Sequence, residues 1–295
     1  FKKLIKFDVV WITYDAEIDK NDISNLNDTL KKFKKVIGYL KKNTLVIVST
    51  QIPVGTIKKL ENFDKLVLKK NLRFAYIPEN LRLGKSLSIF LKSSNIIVGV
   101  RKENDKKLIS KVLKGINAKR NFVSIETAEM TKHVINTFLA SSIALINEIS
   151  TIASKHKVSF SDLEKCVKTD ERISSKAYLR PGNSFSGGTL ARDINYLLNQ
   201  NSKYSNTIIL KSILKSNHFH SKWIERTIKK QQNLKKKKFL QIGLSYTSGT
   251  TTLRRSLPFE IFKKLNKNFD IRIYDEFLRN NSYEIKKIEK NFNFN

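Results

Sequence analysis

The stretch GNSFSGGTLARD, residues 182–193, runs three glycines and two serines directly into Thr189, Arg192 and Asp193. Without a Cβ, glycine lets the backbone approach a ligand closely and adopt tight turns. A flexible loop that ends on a hydroxyl and then a carboxylate has the parts of a binding or group-transfer site. A second polar pair, Lys132 and Asn136, stands at i and i+4 inside a long apolar stretch. That spacing places both on one helix face. The pair reads either as a solvated helix start or, since it continues an apolar stripe, as an inward-pointing pair.

Other residue types with chemical potential carry less. Cys166 is the sole cysteine, which excludes an intramolecular disulfide and a cysteine zinc cluster. In SDLEKCVKTD it shares a helical stripe with Leu163 and Val167 and is expected to be a buried structural thiol. His218 and His220 in SNHFHSKW lack a third ligand cluster nearby, so helix surface is expected there and no metal. GLSYTSGT, residues 243–250, lacks the GK[ST] ending of a phosphate loop and reads as a strand-to-turn edge.

The elements that must position these residues are α/β in kind. FDVVWIT, TLVIVST and NIIVGV are short runs rich in branched residues, expected as strands buried on both faces of a parallel sheet. DISNLNDTLKKFKKVIGYLKK between the first two has helical spacing. From Glu126 a long helix is expected, ETAEMTKHVINTFLASSIALINEISTIASKH. Val134, Phe138, Leu145, Ile149 and Ile152 form one of its stripes, and Leu139, Ile143 and Ile146 a second on a nearly opposite face. A helix apolar on two faces is buried between layers or between subunits. KKQQNLKKKK, residues 229–238, reads as a solvated linker. KFLQIGLSY and FDIRIYD then read as strands around a helical LPFEIFKKLNK, and EKNFNFN supplies no closing element.

The formal net charge is +31 over 295 residues. The lysines are spread along the whole chain together with asparagine and isoleucine, the pattern of a compositional bias, and no nucleic-acid recognition motif accompanies them. Nucleic acid is therefore not the expected partner. No apolar run approaches membrane-spanning length and no signal peptide is visible, so a cytoplasmic protein with no membrane partner is expected. The chain begins on Phe1 instead of methionine, and its true start is expected upstream.

Five stretches in order carry a resemblance: STQIPVGT (49–56), PENLRLG (78–84), AEMTKHVINTFLA with INEI (128–149), RPGNSFSGGTLARDI (180–194) and GLSYTSGTTTLRRS (243–256). The set resembles the UDP-glucose/GDP-mannose dehydrogenase family, which oxidises a sugar C6 alcohol to a carboxylate with two NAD. The resemblance implies an α/β fold in four segments. Residues 1–120 would be the C-terminal half of a Rossmann-like NAD-binding domain, because no GxGxxG precedes FDVVWIT. Residues 121–228 would be a central helical dimerisation and substrate domain, 229–238 the linker, and 239–295 part of a second Rossmann-like domain that binds the nucleotide sugar. It also implies NAD as cofactor, a UDP- or GDP-linked nucleotide sugar as substrate, and a homodimer.

Carried over by motif, Thr50 matches a threonine near the nicotinamide and the catalytic water, and Glu79 the first acid of a PEFLREG-like loop. The second acid of that loop is Leu83 here. Lys132 and Asn136 match the pair that steadies the oxyanion and water, and Asp193 the acid four residues beyond the nucleophile. Arg172 fits a DxRI-like substrate loop. Tyr178, Phe185, Gly187 and Gly188 fall in the sugar-contacting stretch. Arg254 matches an arginine that reaches towards the cofactor, and Thr247 replaces the lysine of a GLxFK motif. The glycine loop resembles GPGFGGSCFPKD, whose cysteine is the nucleophile; Thr189 stands in its place. A thiol of pKa about 8.5 is a few per cent thiolate at neutral pH, whereas an aliphatic hydroxyl needs a strong adjacent base. The resemblance thus implies a nucleotide-sugar dehydrogenase homologue with impaired second oxidation, or else an inactive homologue that binds nucleotide sugar or serves as a subunit.

Overall fold

The computed structural model describes residues 2–14, 16, 25–79, 86–186, 189–200, 206–230 and 238–278. The chain folds as two compact units, residues 1–136 with 195–200, and residues 137–194 with 201–295. This partition by compactness differs in kind from the four segments drawn from motifs.

The first unit is built on a five-stranded sheet in the order β1 (Val9–Ile12), β2 (Leu45–Val48), β3 (Arg73–Tyr76), β4 (Asn95–Val100) and β5 (Lys119–Val123). All neighbours pair in parallel except β3 and β4, which run antiparallel with Ala75 opposite Val100. Apolar runs read the same in either direction, so strand polarity at this point is not written in the pattern. Helices α1 (Leu26–Gly38), α2 (Thr56–Phe63), α3 (Lys65–Lys70), α4 (Ser86–Leu91) and α5 (Glu103–Val112) connect the strands.

Every residue of β2 is buried, which is why LVIV can be apolar throughout. Val46 and Val48 pack with Phe33, Ile37, Ile57 and Val67 on one face. Leu45 and Ile47 pack with Val98, Ile109 and Leu113 on the other. β1 is less enclosed than its run of branched residues suggests, with only Ile12 fully buried. Asn25 caps α1 through a bond from the Asp28 N–H, and Asp64 caps α3 through bonds from Leu66 and Val67. Helix α2 starts at Gly55, at φ +80°, with no cap from its own side chain.

Helix α6 (Ile125–Lys155) enters against the sheet at Gly99 of β4. A Cβ on Gly99 would lie 2.8 Å from the Ala128 Cβ and 2.8 Å from the Ile125 Cα. Arg101, just past β4, bonds both Glu61 of α2 and Glu126 of α6. The two carboxylates hold the guanidinium charged and raise its pKa, and Arg101 in turn draws the Glu126 carboxyl down to about 2.

The second unit holds the rest of α6, α7 (Phe160–Val167), most of α8 (Thr189–Asn199), α9 (Ile208–His220) and α10 (Trp223–Lys230). A parallel pair, β6 (Lys238–Ile242) and β7 (Asp270–Tyr274), packs with α11 (Leu257–Leu265) around Leu244, Phe262 and Ile273. Of the expected linker, Lys229 and Lys230 close α10 and Lys238 opens β6; residues 231–237 lie outside the described residues, as does EKNFNFN.

Two expectations are corrected, the burial of Cys166 and the absence of an apolar segment of membrane-spanning length. Cys166 is exposed, because Phe160, Leu163 and Val167 turn inward on α7 and the thiol falls at the edge of that stripe. Of the two stripes on α6, only the one ending at Ile146 is partly covered within the chain; Val134, Phe138, Leu145, Ile149 and Ile152 are exposed. And α6, at 31 residues, is long and apolar enough to cross a membrane by length and composition. Its apolar residues are dispersed over two stripes instead of forming one run, so their sum is not visible as a continuous segment. Glu129, His133 and Asn147 are buried along its length.

The contact at Gly99 gives a test of the α6 seat. Gly99→Ala is expected to destabilise the first unit by about 1–3 kcal/mol, the usual cost of overpacking against backbone, measured by chemical denaturation.

Candidate active site

The turn after β2, residues 49–57, has little regular structure and is largely buried. Its peptide groups must therefore find partners elsewhere. The Gln51 carbonyl accepts from the Tyr196 hydroxyl at 3.4 Å, the Ile52 carbonyl from His133 Nε2 at 3.0 Å, and the Val54 carbonyl from Gln200 Nε2 at 3.0 Å. Glu129 takes the N–H of Gly55 on Oε2 at 2.6 Å and that of Ile57 on Oε1 at 3.3 Å. Its carboxylate thus supplies the cap that α2 lacks, at the positive end of the helix. His133 and Tyr196 meet edge to face at 5.4 Å.

Thr50 sits in this turn, 2% exposed, and donates its hydroxyl to the Tyr14 carbonyl at 2.7 Å. On α6, Lys132 is 8% and Asn136 6% exposed, so both polar ends are enclosed near the turn-binding residues. Glu79 is exposed and lines a cleft of about 630 Å³ with Thr13, Ser49, Ile77 and Pro78. These residues follow β1, β2 and β3, and the carboxyl ends of strands are where open α/β sheets take ligands. The cleft has the size of a small-molecule site. Leu83 lies outside the described residues.

In the second unit, the glycine loop is held by side-chain amides. Asn147 of α6 accepts the Gly182 N–H at 2.9 Å, and Asn217 of α9 both accepts the Phe185 N–H at 2.8 Å and donates to its carbonyl at 2.9 Å. His220 Nε2 donates to the Gly182 carbonyl at 2.8 Å. Phe185 is half-buried, Gly187 and Gly188 lie outside the described residues, and Thr189 is exposed as the first residue of α8. Asp193 and Arg192 are buried one turn further on. Arg172 and Tyr178 are exposed, Arg172 being paired with Asp170 at 2.6 Å.

The edge at GLSYTSGT is organised by Asp275, directly after β7. Its carboxylate accepts the N–H groups of Leu244, Ser245, Phe277 and Leu278. Burial works to raise its pKa, yet the four backbone bonds outweigh it and leave the carboxyl below its ordinary range. Thr247 is half-buried in this turn and Arg254 is exposed beyond it. Among the described residues no group of histidine, cysteine and carboxylate side chains could hold a metal ion.

The residues that tie these segments down were not singled out by sequence. Glu129, His133 and Asn147 each interrupt an apolar helix, and a charged or amide side chain inside such a helix is the signal that was available. His220, expected on the helix surface, instead ties the glycine loop through the Gly182 carbonyl.

A sheet whose carboxyl edge opens on a cleft, followed by a long helix and a second α/β unit, defines an α/β protein with a small-molecule cleft and a helical insert. Residues 1–117 match the NAD binding domain of the UDP-glucose/GDP-mannose dehydrogenase family, and residues 126–218 match its central domain. The chain belongs to that family, and its cofactor is NAD. It is 30% identical over 282 residues to the UDP-glucose 6-dehydrogenase of Rickettsia prowazekii, covering 91% of this chain and 63% of that protein. It is 28% identical over 290 residues to that of Campylobacter jejuni, covering 95% and 69%. The chain thus spans less than two thirds of the first of these relatives. The UDP-glucose dehydrogenase of Pyrobaculum islandicum shares the fold, with a TM-score of 0.84 at 21% identity over 98% of this chain and 68% of that one.

Burial pushes the Glu129 carboxyl up to about 7, against the pull of the Gly55 and Ile57 amides; Glu126 adds to the rise and His133 opposes it. The native state then holds a proton that the unfolded chain has released above about pH 4.5. Stability from this group is full below that pH and is lost as pH rises through about 7. Relative to Glu129→Gln, the native protein is expected to lose up to about 1.4 kcal/mol per pH unit in this window, read from urea unfolding at a series of pH values.

Proposed function

We propose that the protein binds a UDP- or GDP-linked nucleotide sugar and oxidises a CH–OH group of the sugar. The observation that carries this reading is the enclosed Lys132–Asn136 pair, on the helix that also holds the turn bearing Thr50. NAD, when bound, supplies the hydride acceptor. Lys132 stabilises the developing alkoxide, and Asn136 and Thr50 orient water and substrate beside it. Glu79 and Asp193 are the carboxylates available for proton transfer. Arg172, Tyr178, Phe185, Gly187 and Gly188 contact the nucleotide sugar, and Arg254 reaches the cofactor. The motif-based segments, with breaks near 120, 228 and 238, are the functional domains of this reading, and the cytoplasm, where NAD and nucleotide sugars occur together, is its location.

Thr189 and Leu83 favour a limit on that activity, and they are what support a second reading, an inactive homologue that binds nucleotide sugar or serves as a subunit. A hydroxyl at Thr189 forms a covalent hemiacetal slowly if at all. The full-length protein is expected to release at most one NADH per sugar, with aldehyde as product by mass spectrometry. Thr189→Cys alone is expected to restore little, and Thr189→Cys with Leu83→Glu more. Two NADH per sugar with a clean carboxylate product would refute the limit. NAD-dependent turnover absent from a panel of nucleotide sugars, with binding retained, would select the second reading.

The exposed stripe of α6 belongs to the same proposal. Phe138 is 70% and Leu145 58% exposed, and their covering by a second copy of α6 would form a homodimer. Phe138→Glu is expected to convert the dimer to monomer in sedimentation velocity. A well-folded native monomer at high concentration would rule the dimer out.

A further inference from the structure

The turn bearing Thr50 is held from outside itself, and its strongest tie is the Glu129 carboxyl, which accepts two of its backbone N–H groups. Glu129 is fully buried, spans two amides of the turn, and lies one helical turn from His133, which takes the carbonyl of Ile52. Lys132 is between them on the same helix, and Asn136 follows one turn later. We infer that Glu129, assisted by His133, is a positioning residue for the reaction: it fixes the turn 50–57, and with it Thr50, in register with Lys132 and Asn136. This rests on the dehydrogenase reading for its consequence in catalysis, but the clamp itself is a property of the first unit.

The geometry favours register over simple stability. Helix α6 is a rigid rod, so a group bonded to Glu129 is indexed to every other residue of its first turns. Gly55 adopts φ +80°, where a side chain would be strained, and it lets the chain turn so that two N–H groups converge on one carboxylate. The far end of α2 is tied to the same helix through Glu61, Arg101 and Glu126. Both ends of the segment that follows Thr50 are thus referred to α6, and a shift of about 1 Å in such a site costs on the order of 100-fold in rate.

Hydrogen–deuterium exchange on the full chain without ligand reads the amides of residues 50–60 directly. Glu129→Ala, and Glu129→Gln, which keeps the side-chain volume and one acceptor oxygen, are expected to speed exchange there by about tenfold or more. Glu129→Asp is expected to do less, and peptides from β4 and β5 to keep their rates. In assays with nucleotide sugar and NAD, Glu129→Gln is expected to lower kcat by about 10–100-fold with KM for the sugar changed by less than about twofold. Unchanged exchange at 50–60 in Glu129→Gln overturns the inference whatever the activity. So does faster exchange with unchanged kcat, and so does faster exchange spread evenly over the first unit. If no nucleotide sugar is oxidised while Glu129→Gln still loosens 50–60 alone, the clamp stands and the dehydrogenase reading fails.

Discussion

The turn that leaves the fully buried strand β2 is largely enclosed, and although the Thr56 N–H pairs with the Pro53 carbonyl inside it, other peptide groups of 49–57 find their partners outside. Each unpaired N–H or carbonyl would cost roughly 1–3 kcal/mol. Four side chains from outside the turn, Glu129, His133, Tyr196 and Gln200, answer five of them. The rest of the first unit follows from this demand. Helix α6 must pass close to the sheet to deliver Glu129, which requires Gly99 beneath Ala128. The carboxylate must be enclosed to serve as a cap, and its ionisation becomes costly as a result.

The second unit meets the same demand with neutral groups. Asn147, Asn217 and His220 tie the backbone at Gly182 and Phe185. An amide side chain offers both a donor and an acceptor, which suits Asn217 bridging the N–H and carbonyl of a single residue. Asp275 does use a charge, and it accepts four N–H groups instead of two, enough to hold its carboxylate ionised where Glu129 sits near its midpoint.

Legibility in the sequence followed the length scale of each constraint. β1, β2 and β4 were readable because a strand packed between layers needs a local apolar run, whereas β6 and β7, largely exposed, were readable from their branched and aromatic residues. β3 and β5 were not, since RFAY and KRNFV contain no run of branched apolar residues. The antiparallel entry of β4 and the exposure of Cys166 depend on what packs alongside, which no local window contains. The named site residues were legible only through the resemblance to a family. The ties that hold their segments join residues as much as 146 positions apart, as with Gln200 and Val54, and nothing at either end announces the other.

The place of Thr189 at the first position of an 11-residue helix poses a question that magnitudes can decide. The positive end of a helix favours an anion by about 0.3–1 kcal/mol, and by at most about 2 in partly buried settings. That is worth roughly 1.5 pKa units. An aliphatic hydroxyl ionises near the value of water, some seven units above a thiol at about 8.5. The helix end therefore closes only a fifth or so of the gap between alcohol and thiol. A cysteine at this position would gain a nucleophile that is already partly ionised, whereas the threonine still requires a base to remove its proton during attack. On the proposed dehydrogenase reading, activity at this loop rests on hydride removal and enclosure of the sugar, which need no charge at Thr189.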